Sequence, residues 1–373
     1  MYKVLVVFGT RPEAIKLLPV VAELKKHPDI FETIICVTAQ HRELLDQVLN
    51  LFEVKPDYDL NIMKKNQSLS ALTANIIKKF DTIITKIKPD YLIVQGDTTT
   101  TFVASLISFY HKIEIFHIEA GLRTLNRYSP FPEEINRRLT SVLVKHHFAP
   151  TAEAKKNLML ENYAEKEITI TGNTSIDALF YAIERNKKSN IRIPDIPTNI
   201  INNKYVLITG HRRENFGKGF INICKAIRYL AEIYPKINFI YPVHLNPNVI
   251  RPVHDLLSDI RNVFLISPLD YQEFVYLMEH AYIILTDSGG IQEEAPSMGK
   301  PLLIMRDTTE RPEVITERAG ILVGTEFNKI VTSVSILLDS KETYNKYAKV
   351  RNIYGDGFAS KRIVEKIMNF LPK

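Results

Sequence analysis

Two series of short apolar runs alternate with segments of helical period, and this alternation constrains the fold most strongly. The first series has runs rich in β-branched residues at 3–9, 33–38, 91–95, 114–118, 146–150 and 167–172. Helical faces between them are predicted from Ile15, Leu18, Val21, Ala22 and Leu24 in 14–27, and from Phe102, Leu106 and Phe109 in 98–111. Strands that are apolar on both faces and alternate with helices form a parallel sheet with helices on both sides. The first half of the chain is therefore predicted to be one doubly wound α/β domain.

The segment 187–203 interrupts this pattern with two prolines, four asparagines and no helical period, as an interdomain linker does. A second series follows at 205–210, 237–243, 263–267, 282–287, 302–305 and 321–324. The segments 9–15 and 309–315 also share Arg-Pro-Glu, a sequence suited to the first turn of a helix. We predict two Rossmann-like, doubly wound, parallel-sheet domains that face each other across a cleft.

Charged residues follow several of these predicted strands. Arg11 follows the first strand, Asp97 the third, Glu119 the fourth, and His211 the first strand of the second series. In doubly wound sheets, ligands bind at the carboxyl ends of the strands. We therefore expect these side chains to line the ligand site.

Asp97, Arg11 and a further candidate acid, Glu133, also have purely structural interpretations. Asp97 precedes four threonines and could cap a helix. Glu133 could charge the first turn of a helix, and Arg11 could be an exposed surface charge. Glu119 is harder to explain in this way. Desolvating an acid at the end of an apolar strand is unfavourable, so such a residue is expected to have a charged partner or a function.

The second domain contains a second type of candidate site, in the sequence DSGGIQEE at 287–294. Ser288, Gly289 and Gly290 can present backbone N–H groups to a diphosphate at a helix N-terminus, and Glu294 can accept hydrogen bonds from ribose hydroxyls. The alternative is that the glycines only permit a tight turn. Neither a P-loop sequence nor a post-strand G-x-G-x-x-G occurs, which argues against P-loop and dinucleotide chemistry.

Composition excludes several other classes of function. The net charge of +6 and the pI near 9.0 are spread along the chain, so they favour anionic ligands without marking a nucleic-acid surface. His and Cys spacings match no metal site. Cys36 and Cys224 lie in apolar runs and are expected to be buried and reduced. No run is long enough to span a bilayer and no signal peptide is evident, so we expect a cytoplasmic protein.

Eight motifs taken together resemble the bacterial and archaeal non-hydrolysing UDP-N-acetylglucosamine 2-epimerases, in order and over nearly the whole chain. They are FGTRPEAIK (8–16), TAQHRELLDQVL (38–49), QGDTTTT (95–101), HIEAGLRT (117–124), PFPEEINRR (130–138), TGHRRENFG (209–217), LTDSGGIQEEAPSMGKP (285–301) and MRDTTERPE (305–313). The resemblance implies the GT-B architecture. The expected domains are 1–186 and 204–357, joined by the linker 187–203, with a C-terminal helix in 358–373 that packs back on the first domain.

The resemblance also implies a reaction. UDP-GlcNAc would be inverted at C2 to UDP-ManNAc without a nicotinamide cofactor or a metal. UDP would leave C1 as the C2 proton is removed, giving 2-acetamidoglucal, and would then add back after reprotonation from the other face. Such chemistry needs acid–base groups on both faces of C2 and stabilisation of the leaving diphosphate.

Site residues follow from the resemblance position by position. The acid–base or oxocarbenium-stabilising positions are Asp97, Glu119 and Glu133, and His211 is expected near the diphosphate. The UDP-binding positions are Arg11, Lys16, Ser288, Gly289, Gly290, Glu294 and Arg311. The family is commonly dimeric, so a homodimer is expected.

Bacterial members also have an activating site for a second UDP-GlcNAc beside the active site. Gln40, Glu133, Arg212 and His244 match that site, whereas Glu43 and Asn66 replace a glutamine and an arginine. Gaining an acid and losing an arginine weakens binding of an anionic effector. We therefore expect activation to be reduced, altered or absent.

Four other functions share part of this pattern. A GT-B glycosyltransferase could use the same diphosphate turn, and a hydrolysing epimerase would release free ManNAc and UDP. A further enzyme could act on a modified UDP-GlcNAc such as a 3-acetamido uronic acid. A UDP-sugar sensor would keep Arg11, Ser288 and Glu294 but would not need the three carboxylates.

Overall fold

The chain divides into two compact units. The computed structural model describes residues 1–39, 42–62, 67–349 and 351–372, with no side-chain description for residues 42–44. The first domain comprises Met1–Tyr181 and Tyr354–Lys373, and the second comprises Ala182–Ile353. The predicted class of two doubly wound parallel-sheet domains is confirmed.

A parallel sheet forms the centre of the first domain. Its strands in the described residues are β1 (Tyr2–Phe8), β2 (Phe31–Val37), β3 (Tyr58–Asp59), β4 (Tyr91–Gln95), β5 (Glu114–Ile118), β6 (His146–Ala149) and β7 (Ile168–Ile170). The order across the sheet is β3-β2-β1-β4-β5-β6-β7. The strand order therefore reverses between β1 and β4, which is where doubly wound sheets open a crevice for ligands.

Helices cover both faces of this sheet. They are α1 (Arg11–Leu24), α2 (Arg42–Leu51), α3 (Leu69–Ile87), α4 (Thr99–Tyr110), α5 (Glu133–Leu143), α6 (Ala152–Leu160) and α7 (Thr174–Lys188). The central strands are buried on both faces; for example, Val4, Leu5, Val6 and Val7 of β1 are all 0% exposed. This burial explains why these runs are apolar throughout and not alternating.

The second domain repeats this plan. Its strands in the described residues are β8 (Tyr205–Thr209), β9 (Asn238–Pro242), β10 (Val263–Ile266), β11 (Ile283–Thr286), β12 (Leu302–Ile304) and β13 (Gly320–Leu322). All pair in parallel in the order β10-β9-β8-β11-β12-β13. The reversal here lies between β8 and β11.

The helices of the second domain follow the same alternation. They are α8 (Thr198–Ile201), α9 (Lys218–Ile233), α10 (Pro247–Leu257), α11 (Tyr271–His280), α12 (Gly289–Glu294), α13 (Glu313–Thr316), α14 (Phe327–Asp339) and α15 (Lys341–Tyr347). The core contains Val206, Ile227, Tyr241 and Leu285, all at most 1% exposed. No helix in the described part of the chain is long and apolar enough to cross a membrane.

The last helix, α16 (Ala359–Met368), belongs to the first domain and packs on α1. Its N-terminus is held by Asp177 of α7, whose carboxylate accepts hydrogen bonds from the backbone N–H groups of Ala359 (3.2 Å) and Ser360 (2.7 Å). A carboxylate at this position satisfies donors that have no partner within the helix.

Several details differ from the sequence-based expectations. The two compact units meet at 181/182 and 353/354, whereas we predicted borders at 186/187 and 357/358; α7 runs through both the observed and the predicted position of the first border. The predicted linker 187–203 contains the short helix α8. The sequence TERPEVI starts a helix only at Glu313, two residues later than the Arg-Pro-Glu pattern predicts. The two-residue strand β3 was too short to be predicted.

The predicted apolar face of α4 is only partly correct: Phe102 is partly buried and packs against the core, but Phe109 does not. Phe109 is 55% exposed, and the buried apolar residues of α4 are instead Val103, Ala104 and Ile107. These residues lie on the face that α4 buries, and α4 packs against both α3 and α5.

Two adjacent histidines lie in the core of the first domain, on β6. His146 and His147 are each 1% exposed. The ring of His146 packs between Phe148 and Phe370, with ring centroids 5.1 Å and 5.0 Å away. Burial lowers the pKa of each imidazole to about 4. Both rings are therefore neutral in the folded protein at neutral pH.

We expect this burial to make the first domain less stable as the pH falls from 7 to 5. The unfolded chain binds protons on these histidines below pH about 6.5, whereas the folded chain does so only near 4, so the stabilisation is complete above 6.5 and declines below it. The expected loss at pH 5 is about 1–2 kcal/mol for each histidine. Urea unfolding at the two pH values measures it. The double variant His146→Gln, His147→Gln should lose much of this pH dependence, whereas exposed His280→Gln should keep it; equal pH dependence in all three proteins would contradict the expectation.

Candidate active site

The predicted site residues of the first domain lie around the ends of β1, β4 and β5. A buried carboxylate, Glu13, joins two of the loops that follow these strands. One oxygen, Oε2, accepts hydrogen bonds from the backbone N–H groups of Gly9 (3.1 Å) and Thr10 (2.8 Å) and from Thr10 Oγ1 (2.7 Å). The other oxygen, Oε1, accepts a bond from Thr98 Oγ1 (2.7 Å). Glu13 thereby holds the β1–α1 loop against the β4–α4 loop at the switch point of the sheet.

Glu13 has a more specific role than its sequence position indicated. Its place in Arg-Pro-Glu predicted only a favourable charge at the start of α1. The structure shows the capping box that this sequence favours, but also burial to 1% exposure. Burial raises the pKa of Glu13, while the bonds from Thr98, Thr10 and Gly9 act in the opposite direction. The role could not be read from the sequence because its second partner, Thr98, is 85 positions away.

The turn at Gly9 explains why glycine ends the first strand. A Cβ atom on Gly9 would lie 2.1 Å from Thr38 Oγ1 and 2.7 Å from Thr100 Oγ1. These two hydroxyls hydrogen-bond to each other at 2.9 Å. Because a side chain would have to displace both, only glycine fits where β1 leads into the site.

Two of the three predicted catalytic carboxylates are bridged by one arginine. The Nη2 atom of Arg137 forms ion pairs with Asp97 Oδ2 and, at 3.3 Å, with Glu119 Oε1. The capping alternative for Asp97 is wrong, because Thr98 caps α4 by accepting a bond from Thr101 N. Arg137 and Glu119 are each 7% exposed, whereas the Asp97 side chain is 27% exposed. The arginine is therefore buried between two carboxylates, one of them open to solvent.

Glu119 is held by a second cation and by an unusual backbone conformation. Its Oε2 pairs with Lys16 Nζ of α1. Its φ is +60°, in the left-handed region that residues other than glycine rarely adopt. Such conformations cluster at functional sites, where the surrounding structure holds them. Lys16, predicted as an anion contact, is thus also the partner of a predicted catalytic acid.

Glu133 begins α5, as its helix-start interpretation predicted, and joins the same cluster. Half-burial raises its pKa; the negative charge of Asp97 acts in the same direction, and Arg137 opposes it. An acid whose pKa is raised towards neutrality is suited to accept and return a proton.

The turn that carries Asp97 is supported by a histidine from the next strand. His117 Nε2 lies 2.7 Å from the carbonyl oxygen of Gly96. Burial lowers the pKa of His117 well below its usual value, so the neutral ring donates from Nε2. The side chain of Asn136 also donates to the carbonyl oxygen of Asp97 at 3.0 Å. Sequence reasoning assigned no role to Arg137, His117 or Asn136.

In the second domain, a second buried carboxylate occupies the corresponding switch point. Asp287 follows β11 and is 0% exposed. Its Oδ2 accepts bonds from the backbone N–H groups of His211 and Arg212, both at 2.9 Å, and from Asn215 Nδ2 at 3.2 Å. Asp287 therefore holds the loop after β8 against the end of β11, as Glu13 does in the first domain.

The side chain of His211 lies near the carboxylate of Asp287 and stacks on His244, another predicted residue. Its ring is parallel to that of His244 within 16°, with centroids 5.4 Å apart. Local desolvation lowers the pKa of His211, and the charges of His244 and Arg212 act in the same direction, whereas Asp287 opposes them. The structure thus places His211 beside Arg212 and His244, two residues predicted for the activator site.

The DSGG turn brings two guanidinium groups together. A Cβ atom on Gly289 would lie 3.3 Å from Arg311 Cζ and 3.5 Å from Arg212 Nη2, while nothing lies within 4 Å of one on Gly290. Ser288 is the N-cap of α12, which directly follows β11, and a 3-10 turn at 295–298 leads on to β12. The short helix between strands that the sequence predicted is therefore present. Two guanidinium groups beside bare backbone are an arrangement that can accept an anion.

The two adjacent acids of this segment have separate partners. Glu293 Oε1 accepts bonds from Arg311 Nε (2.9 Å) and Nη2 (2.6 Å), which holds the guanidinium beside Gly289. Glu294, predicted to bind ribose, accepts a bond from the Tyr271 hydroxyl at 3.1 Å. The role of Glu293 carried no sequence signal, because its partner is 18 positions away.

The remaining predicted residues are only partly described. Arg11 is the first residue of α1 and is half-buried. Gln40 and Asn66 lie outside the described residues, as does the side chain of Glu43. In the part of the chain that is described, no three His, Cys, Asp or Glu side chains converge as a metal site would require.

We expect Glu13→Gln to destabilise the first domain by about 1–3 kcal/mol, because an amide NH2 would face donors that now bond to a carboxylate oxygen. Urea unfolding at pH 7 measures the effect. The matched control is Glu153→Gln, the same substitution at an exposed glutamate of α6 in the same domain, with an expected change within about 0.5 kcal/mol. Unchanged stability in Glu13→Gln would mean that Glu13 is protonated in the folded protein.

The chain was compared with protein families and with known proteins. A family model described as UDP-N-acetylglucosamine 2-epimerase matches residues 22–368. The chain is 52% identical over 375 residues to the UDP-N-acetylglucosamine 2-epimerase of Yersinia pestis, covering 98% of each protein.

Solved structures agree with this match. The crystal structure of UDP-GlcNAc 2-epimerase from Neisseria meningitidis bound to UDP-GlcNAc superposes with a TM-score of 0.90 at 55% identity, covering 98% of this chain and 100% of that one. The Methanocaldococcus jannaschii enzyme in complex with UDP-GlcNAc and UDP gives 0.81 at 34% identity, covering 98% and 99%. The chain belongs to the UDP-N-acetylglucosamine 2-epimerase family.

Proposed function

We propose that this protein interconverts UDP-GlcNAc and UDP-ManNAc by eliminating UDP to 2-acetamidoglucal and adding it back, without net hydrolysis. The observation that carries the proposal is the pairing of Asp97 and Glu119 with Arg137 in the first domain, together with Glu133, whose pKa the charges of Asp97 and Arg137 influence. Relatives from Neisseria and Methanocaldococcus bind UDP-GlcNAc in their crystal structures. A protein that only bound the nucleotide sugar would not need two carboxylates paired with one cation and a third whose pKa their charges influence.

The chemistry balances without an oxidant. A base removes the C2 proton, the C2–H electrons form the C1=C2 bond, and the C1–O bond breaks with its electron pair on the β-phosphate oxygen of UDP. Protonation of C2 on the opposite face and return of that oxygen to C1 complete the inversion. The reaction therefore requires acid–base groups for C2 and positive charge for the diphosphate.

We assign the acid–base steps to the first domain. Glu133 is one candidate for proton transfer at C2, because burial raises its pKa. Glu119 and Asp97 share Arg137, which balances their charge; they are the other candidates for proton transfer or for stabilising positive charge at C1. Lys16, paired with Glu119, adds a cation to the same group.

The diphosphate is assigned to the second domain. Arg311 is held beside the bare backbone of Gly289 and Gly290 by Glu293, so its guanidinium is already ordered when ligand arrives. Ser288 begins the same turn. Arg11 is a further candidate for an anionic oxygen, Glu294 is assigned to the ribose hydroxyls, and His211 to the departing phosphate oxygen.

We also propose that activation by a second UDP-GlcNAc is weak in this protein. Glu43 and Asn66 replace a neutral and a positive side chain expected at the activating site, and the change disfavours an anion. In the direction from UDP-ManNAc, the initial rate should rise hyperbolically with substrate and need no added UDP-GlcNAc. An absolute requirement for added UDP-GlcNAc would contradict this.

Proton NMR of the protein with UDP-GlcNAc in D₂O tests the main proposal. We expect UDP-ManNAc carrying deuterium at C2, because the proton removed exchanges with solvent before it is replaced. Deuterium should also enter C2 of the remaining UDP-GlcNAc. The variant Glu119→Gln should slow the incorporation of deuterium into both UDP-sugars by a similar factor, whereas the exposed Glu153→Gln should not.

The competing functions give different spectra. Free ManNAc and UDP would identify a hydrolysing epimerase. Epimerisation without deuterium incorporation would exclude proton exchange with solvent at C2. An unchanged spectrum would overturn the proposal and favour a transferase, a sensor or a modified substrate.

A further inference from the structure

The two oxygens of the buried Asp287 carboxylate have different surroundings. Oδ2 accepts three hydrogen bonds, from His211 N, Arg212 N and Asn215 Nδ2. Oδ1 is buried without a hydrogen-bond partner, and it lies 3.5 Å from His211 Nδ1. A carboxylate oxygen in such surroundings is unfavourable unless a donor reaches it. The nearby imidazole nitrogen is such a donor.

The position of His211 makes this contact easy to complete. The backbone N–H of His211 is already bonded to the same carboxylate, so the Cα atom is held and only the side-chain torsions need to change. A distance of 3.5 Å is too long for a hydrogen bond, and a shift of about 0.5 Å brings it into range. The side chain of His211 is 41% exposed, which leaves it free to make this adjustment.

His244 does not compete for the nitrogens of His211. It stacks on the ring face, within 16° of parallel, and does not approach the ring edge. Its own Nδ1 accepts a hydrogen bond from the backbone N–H of Asn246 at 3.1 Å, which leaves its proton on Nε2. The charged groups around His211 are thus Asp287, which favours a proton on the ring, and Arg212 and His244, which oppose it.

We propose that Asp287 is a positioning residue for His211: Oδ1 accepts the Nδ1–H of His211, so that Nε2 is the nitrogen presented to the substrate. The inference rests on the proposed function and deepens it. As C1–O breaks, the proton on Nε2 passes to the β-phosphate oxygen, and the ring remains neutral with its proton on Nδ1. The same proton returns to Nε2 when UDP adds back. The carboxylate stabilises the imidazolium form that starts and ends this cycle.

A structural role for Asp287 is the alternative, because Oδ2 alone could hold the 211–215 loop. A double-mutant cycle separates the two roles. Asp287→Asn keeps one oxygen for the backbone donors but presents an NH2 group to His211 Nδ1, which favours the wrong tautomer. Alone, it should lower kcat about 10–100-fold with KM changed less than about 3-fold. In the His211→Asn background it should cost less than about 3-fold. The exposed Asp259→Asn is the matched control.

If Asp287→Asn lowered kcat by the same factor in the wild type and in the His211→Asn variant, the proposal would be overturned. The pH profile gives a second criterion. Asp287→Asn removes the negative charge beside Nδ1 and should lower the pKa of His211, so the part of the kcat/KM profile that reports this pKa should move to lower pH. If that part of the profile did not move, this would also count against the proposal.

A measurement on the unmodified protein guards against variants that fail to fold. Nitrogen-15 NMR of histidine-labelled protein with UDP bound should show the proton of His211 on Nδ1. His244 should show the opposite tautomer in the same spectrum, and each signal is assigned by its loss in His211→Asn or His244→Asn. A proton on Nε2 of neutral His211 would refute the proposal. Loss of epimerase activity in the wild type would refute the proposed function instead, and leave the tautomer result standing.

Discussion

One buried carboxylate at the switch point of each sheet holds the loops that carry the candidate site. Glu13 joins the loops after β1 and β4, and Asp287 joins the loop after β8 to the end of β11. Both accept hydrogen bonds from backbone N–H groups that point away from the sheet and would otherwise be unsatisfied. The loops diverge at these points because the helices that follow pack on opposite faces.

The charges of the first domain depend on this arrangement. Three carboxylates within one region repel one another, and Arg137 and Lys16 offset that repulsion. The three carboxylates therefore differ in their electrostatic environment. Asp97 and Glu119 are paired with cations, whereas burial and the charge of Asp97 raise the pKa of Glu133. Groups of one chemical type thereby have different environments, which the proposed acid–base chemistry at a carbon atom would need.

The second domain shows the complementary arrangement. Its guanidinium groups converge at Gly289, where backbone without a side chain leaves room for an anion. Glu293 orders Arg311 before any ligand binds, which reduces the entropy that binding must overcome. The roles that we propose for these groups, acid–base chemistry in the first domain and diphosphate binding in the second, are the two kinds of function that the proposed elimination needs.

The sequence by itself determined the fold class, because periodicity and burial are local properties: strands that lie between two helical layers must be apolar on both faces. It also determined which strand ends carry charged residues, and the motifs that place the chain in its family. Only the tertiary structure determined which side chains pair with one another in the candidate site. Arg137 bridging Asp97 and Glu119, Thr98 bonding to Glu13, and Glu293 ordering Arg311 all join residues distant in sequence. The buried face of α4 likewise depends on its tertiary neighbours α3 and α5, which the local sequence does not identify.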